Sequence, residues 1–183
     1  YFDNNRLMVS STWHYVFSVD GTVAITIRVE VSESAPPLPR VGAALRLSQD
    51  PGQVSWFGRG PHENYPDRKH SAVFGQWTQS TPDMHTPYIF PSENGLRCDV
   101  SKAQIGRILI QGEFSLGVSQ YSVKQLMAAQ HEHELIPEDG LFIHIDGFHM
   151  GVGGDDSWSP SVKPRYLLTA ATYRWGFSLG PSN

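Results

Sequence analysis

An all-β chain, organised as a mainly antiparallel sandwich, is the fold this sequence predicts, and three observations carry it. In residues 23–31 (VAITIRVEV) the apolar Val23, Ile25, Ile27, Val29 and Val31 alternate with Ala24, Thr26, Arg28 and Glu30, the period of a strand with one buried and one wet face. That strand meets the aromatic-rich residues 11–19 (STWHYVFSV) at Asp20-Gly21, a dipeptide suited to a tight hairpin because glycine tolerates positive φ. Only residues 122–134 (SVKQLMAAQHEHE) have helical spacing, while 17 Gly and 13 Pro punctuate the rest of the 183 residues.

After the hairpin, the proline-rich residues 32–40 (SESAPPLPR) interrupt the pattern, and residues 41–48 and 53–60 (QVSWFGRG) are predicted as further strands. Residues 58–69 (GRGPHENYPDRK) hold turn residues and charges without periodicity, which describes a long loop. Residues 107–121 (RILIQGEFSLGVSQY) are expected to form two short strands meeting at Gln111-Gly112. The helix follows, capped by Ser122, with Val123, Leu126 and Met127 on one face. Residues 140–150 (GLFIHIDGFHM) alternate as a half-buried strand, and residues 165–177 (RYLLTAATYRWGF) supply the last one. No repeat or linker divides residues 1–183, so a single domain is expected.

A net charge of −4 with no lysine or arginine run offers no electrostatic footprint for nucleic acid or an anionic membrane. The single cysteine, Cys98, cannot form an intrachain disulfide, and the sequence shows neither a signal peptide nor a long apolar span. Those features favour the cytoplasm, although the chain begins at Tyr1.

Few chemical constellations stand out. The HEH of residues 131–133 invites a metal, yet on a helix the two imidazoles diverge, and polar residues at a carbonyl-rich helix end explain them more economically. Asp155 and Asp156 lack the alternating acidic ligands of an EF-hand loop, and hydrogen bonding to nearby amides suits short side chains after Gly-Gly. Glycoside hydrolysis needs two carboxyl groups across one sugar bond. Glu63, Asp67, Glu93, Asp146, Asp155 and Asp156 are candidates, but no spacing singles out a pair. A GxSxG elbow, a phosphate loop and a dinucleotide fingerprint are all missing, and Cys98 is expected to be a buried structural thiol.

Aromatic residues are the stronger signal. Trp56, Phe57, Tyr65, Trp77, Tyr88, Phe90, Phe148 and Trp158 fall in or beside predicted loops, and core packing accounts for most of them. Trp158 differs, because residues 151–161 (GVGGDDSWSPS) surround it with glycine, aspartate and serine, with Pro160 expected to stiffen the segment. A ring in such a setting is expected to meet a ligand.

Three stretches, residues 60–68 (GPHENYPDR), 86–98 (TPYIFPSENGLRC) and 145–162 (IDGFHMGVGGDDSWSPSV), together resemble the C-terminal domain of glycoside hydrolase family 2 β-galactosidases. The resemblance runs from about Val54 to Trp175, with weaker agreement back to about Trp13. It implies an antiparallel supersandwich like that of galactose mutarotases, of which this chain covers the C-terminal two-thirds. It also implies catalytic glutamates and magnesium on a separate barrel domain, and hence no catalytic residue and no bound cofactor in this chain. Magnesium and a monovalent cation belong to the complete enzyme, and whether carbonyls near Phe90 and Pro91 hold such a cation stays open.

Residue by residue, the resemblance assigns Trp158 as an aromatic platform for the aglycone of the substrate. Asp155, Asp156 and Ser157 match the same loop and would position the ring, while Glu63, Asn64, Tyr65, Asp67 and Arg68 carry over a structural role only. The expected function is that of a noncatalytic part of a lactase that cleaves terminal β-D-galactosyl bonds. Its expected partners are lactose or another β-galactoside and the remaining domains or a large subunit, in a homo-oligomeric complete enzyme. Two rivals remain: an aldose 1-epimerase using His144, His149 and Glu63 as acid and base, and a stand-alone carbohydrate-binding module built on Trp158.

Overall fold

The computed structural model describes residues 2–3, 6–159 and 161–182. Pro160 lies outside the described residues. The strands are β1 (Phe2–Asp3), β2 (Arg6–Leu7), β3 (Val9–Phe17), β4 (Val23–Val31), β5 (Arg40–Leu47), β6 (Gln53–Gly60), β7 (Val73–Ser80), β8 (Arg97–Ile105), β9 (Ile108–Ser119), β10 (Leu141–His149) and β11 (Thr172–Pro181). β1 and β2 pair with each other, and the other nine form one antiparallel network. The chain is all-β.

The hairpin of β3 and β4 turns as its sequence dictates. Gly21 adopts φ +83° and the Asp20 carboxylate accepts the Thr22 amide at 2.9 Å. Ile25, Ile27 and Val29 of β4 point inward and are buried, while Arg28 and Glu30 face water and pair with each other at 2.8 Å.

β9 decides the architecture. It is one strand of 12 residues, where two short ones were expected. At Gln111-Gly112 the chain bends without ending, because Gly112 takes φ +149° and passes so close to β11 that a Cβ there would lie 3.0 Å from the Gly176 carbonyl oxygen. Residues 108–112 pair with β11 and residues 115–119 pair with β10, while β8 follows the opposite edge. The network therefore forks into an arm β9-β11-β4-β3 and an arm β9-β10-β5.

The two arms fold face to face. Phe148 of β10 lies 5.0 Å from the Tyr173 ring of β11, and Gly147 approaches Trp175 so closely that a Cβ would fall 2.3 Å from the indole Cγ. Ile27, Val41, Trp56, Leu116, Ile143 and Trp175 belong to one core across the fork. Each such side chain contributes ~1.5–3 kcal/mol of transfer free energy. This is sandwich packing by a single branched network.

β7 and β8 had no clean sequence signature, for different reasons. β7 is an edge strand with no fully buried residue, so neither face is marked by hydrophobicity. β8 carries register shifts on both sides of Val100, which interrupt the two-residue period.

The helix α1 is shorter than its sequence suggests. It covers Val123–Ala128, with the Ser122 hydroxyl accepting the Gln125 amide at 3.2 Å, and the chain turns extended at Ala129. None of its residues is buried, so no packed face sustains a longer helix. The last strand starts at Thr172, not at Arg165, because a 3₁₀ turn at Pro164–Tyr166 precedes it. Among the described residues no helix is long and apolar enough to cross a membrane.

Candidate functional site

Residues 150–159 leave the end of β10 as a loop, and glycines set its conformation. Gly153 and Gly154 adopt φ +69° and +79°, a region that L side chains rarely enter. Gly151 is needed for a different reason: a Cβ there would lie 2.5 Å from the Asp67 carboxylate. These glycines let the backbone close on a neighbouring loop.

That neighbour is the segment after β6. Asp67 accepts the amides of Val152 and Gly153 at 3.0 and 2.8 Å. Arg68 donates to the Gly153 carbonyl and, at 2.9 Å, to Asp155, whose other oxygen takes Lys163 Nζ at 2.9 Å. Hydrogen bonds from Lys163 and Arg68 hold the Asp155 carboxyl below the usual carboxylate range. Two loops distant in sequence are thereby clasped.

Asp156 orders the tip. One of its oxygens accepts the amides of Trp158 and Ser159, at 3.0 and 2.6 Å, and the other accepts the Ser159 hydroxyl at 3.1 Å. Those backbone donors lower its carboxyl affinity for protons. Ser157 makes no hydrogen bond or ion pair among the described residues. Trp158 stands 87% exposed, the highest exposure of any tryptophan among the described residues. By contrast Trp56, inside β6, is buried and donates its indole N–H to the Arg59 carbonyl at 3.0 Å.

Beneath the same loop lies a cavity of about 700 Å³, lined by Glu63, Tyr65, Tyr88, Glu93 and residues 151–154. Tyr65 is buried there, and burial pushes its phenol well above the ordinary range. Glu63 accepts the Tyr88 hydroxyl and the Gly95 amide. Glu93 faces Arg40 at 3.5 Å and His149 Nε2 at 3.6 Å, and its carboxyl is held low although burial acts the other way.

The polar centre behind Glu93 is an internal tie. Asp146 is 1% exposed, and Arg40 bridges it at 2.8 Å where β10 carries a bulge against β5. Burial drives the His144 imidazole down to about 4, with the Arg40 charge adding to the effect. The carboxylate beside His144 and His149 is thus Glu93, while Glu63, grouped with those histidines from sequence, is engaged by Tyr88 and Gly95. Cys98 is buried, its thiol is raised to about 11 by desolvation, and it faces the Asn64 carbonyl at 3.2 Å.

Every carboxylate considered for chemistry has an internal partner. Asp67, Asp155 and Asp156 hold the loop, Asp146 holds Arg40, and Glu63 and Glu93 are tied as above. Asp67 and Arg68 are the residues whose part in this site was not legible beforehand. Both lay in a recognised stretch, but nothing along the chain joins residue 68 to residue 155.

Comparison with known proteins supplies a context for this geometry. The family described as "Beta galactosidase small chain" matches residues 2–179. A β-galactosidase of Psychromonas ingrahamii is 49% identical over 175 residues, covering 96% of this chain and 17% of the relative. One from Klebsiella pneumoniae is 47% identical over 179 residues, covering 98% and 17%. One from Yersinia enterocolitica is 51% identical over 168 residues, covering 92% and 16%. The chain spans about a sixth of the length of these curated relatives.

Proposed function

The chain belongs to the β-galactosidase small-chain family, and on that premise we propose that it is the noncatalytic part of a β-galactosidase that offers Trp158 as an aromatic wall on the aglycone side of the active site. The observation that carries this reading is an indole 87% exposed at the tip of a loop braced by Asp67, Arg68 and Asp156. A fully exposed ring on a floppy loop would lose much of its binding free energy to ordering, and the brace removes part of that cost. The flat, apolar C–H face of a pyranose suits such a ring.

Bond cleavage in this reading is a retaining displacement by two carboxyl groups elsewhere in the complete enzyme. That division of labour is supported by the internal engagement of Glu63, Glu93, Asp146, Asp155 and Asp156. Magnesium favours an octahedral set of oxygens. Among the described residues the one group of three converging donors, His131, His133 and Glu134, has two imidazoles and does not fit that ion. We assign magnesium to the rest of the enzyme, as the resemblance implies.

The test is Trp158→Ala in the complete enzyme, comparing lactose hydrolysis with galactosyl transfer to added glucose. Weaker substrate binding and slower transfer, with unchanged thermal stability, are expected. Acceptor kinetics equal to wild type would overturn the assignment.

A further inference from the structure

We propose that His131, His133 and Glu134 form an exposed binding site for a borderline transition-metal dication of the zinc, nickel or copper class. The residues lie beyond the end of α1, which stops at Ala128. They occupy a separate 3₁₀ turn, Glu132–Glu134, entered through His131. His131 is extended, and the turn after it carries Glu134 back so that its Oε1 lies 3.2 Å from His131 Nδ1.

His133 completes the group. Its ring stacks on that of His131 with centroids 5.3 Å apart and planes 26° from parallel. One donor atom from each of the three residues lies within 4.8 Å of the others. Donors ~2.0–2.2 Å from a tetrahedral metal stand ~3.3–3.6 Å apart, so closure draws these exposed side chains together by roughly an ångström.

The carboxylate is prepared for the task. Its second oxygen, Oε2, accepts the Gln130 amide at 2.9 Å, which orients Oε1 toward the imidazoles. The turn is flanked by the buried Ala129 and Leu135.

Two nitrogens and one oxygen select zinc, nickel or copper over magnesium or calcium, and three protein ligands leave positions open to water. The site is separate from the Trp158 loop and does not depend on the proposed role of that residue.

Zinc chloride titration of the whole protein that carries this chain, with excess Mg²⁺ to fill oxygen-rich sites, tests the inference by calorimetry. Wild type is expected to bind one more Zn²⁺ per chain than His133→Ala, and Glu134→Gln is expected to weaken that site ~10-fold or more. Glu132→Gln, beside the site but outside the donor set, should bind as wild type does. Equal zinc stoichiometry and affinity in wild type and His133→Ala, with both folded by circular dichroism, would overturn the proposal.

Discussion

Arg68 and Asp155, 87 positions apart in the chain, meet at 2.9 Å and lock the loop after β6 onto the loop after β10. The same guanidinium donates to the Gly153 carbonyl, so one side chain fixes both the backbone and the acidic tip of the segment that presents Trp158. Loss of this contact should be felt at the indole without being felt in the core.

Arg68→Ala and Asp67→Ala are expected to differ. The Arg68 ion pair with Asp155 is exposed to solvent screening and contributes little to stability. Asp67 accepts two backbone amides, and its removal leaves the part-buried Gly153 donor without its partner, at ~1 kcal/mol. Hydrogen exchange at the Val152 and Gly153 amides checks this: it should accelerate in Asp67→Ala, and unchanged protection would refute the clasp.

Trp158→Ala should leave the unfolding free energy within ~0.5 kcal/mol of wild type, because the ring packs on almost nothing. Covering half of a ring of ~200 Å² at ~25 cal/mol/Å² would supply roughly 2.5 kcal/mol to sugar contact. Substrate affinity in the complete enzyme should therefore fall by up to ~70-fold, measured from KM and acceptor partitioning.

The folded pKa of His144, about 4, lies below the ordinary imidazole value of 6.5. Between those values the unfolded chain binds the extra proton, so this group's stabilising contribution is present above pH 6.5 and is lost as the pH falls toward 4. His144→Gln should lose less thermal stability than wild type on going from pH 7 to pH 5. Parallel melting curves for the two proteins would count against it.

Cys98 should resist thiol reagents in the native protein, because its thiol is buried and raised to about 11. Labelling with Ellman's reagent is expected only after denaturant unfolds the chain. Prompt native-state reaction would show that the site opens.

Much of this was legible along the chain, and the exceptions have physical causes. The alternation in β4 and the Asp20-Gly21 turn are local properties, so periodicity and φ preference sufficed. β8 was obscured by bulges, and β7 by its place at an edge, where burial does not imprint a pattern. The helix was overextended because spacing reports which residues could share a face, whereas the length of α1 depends on whether anything covers that face.

The sequence alone determined that strands dominate, where the first hairpin turns, and that a tryptophan sits among glycines and acids, since each follows from neighbouring residues. Tertiary structure decided the rest: that β9 bends to serve two arms, that Asp67 and Arg68 reach across to residues 152–155, and that His131, His133 and Glu134 converge. These are contacts set by chain path and by a tight turn's rotation, and no rule of local periodicity carries that information.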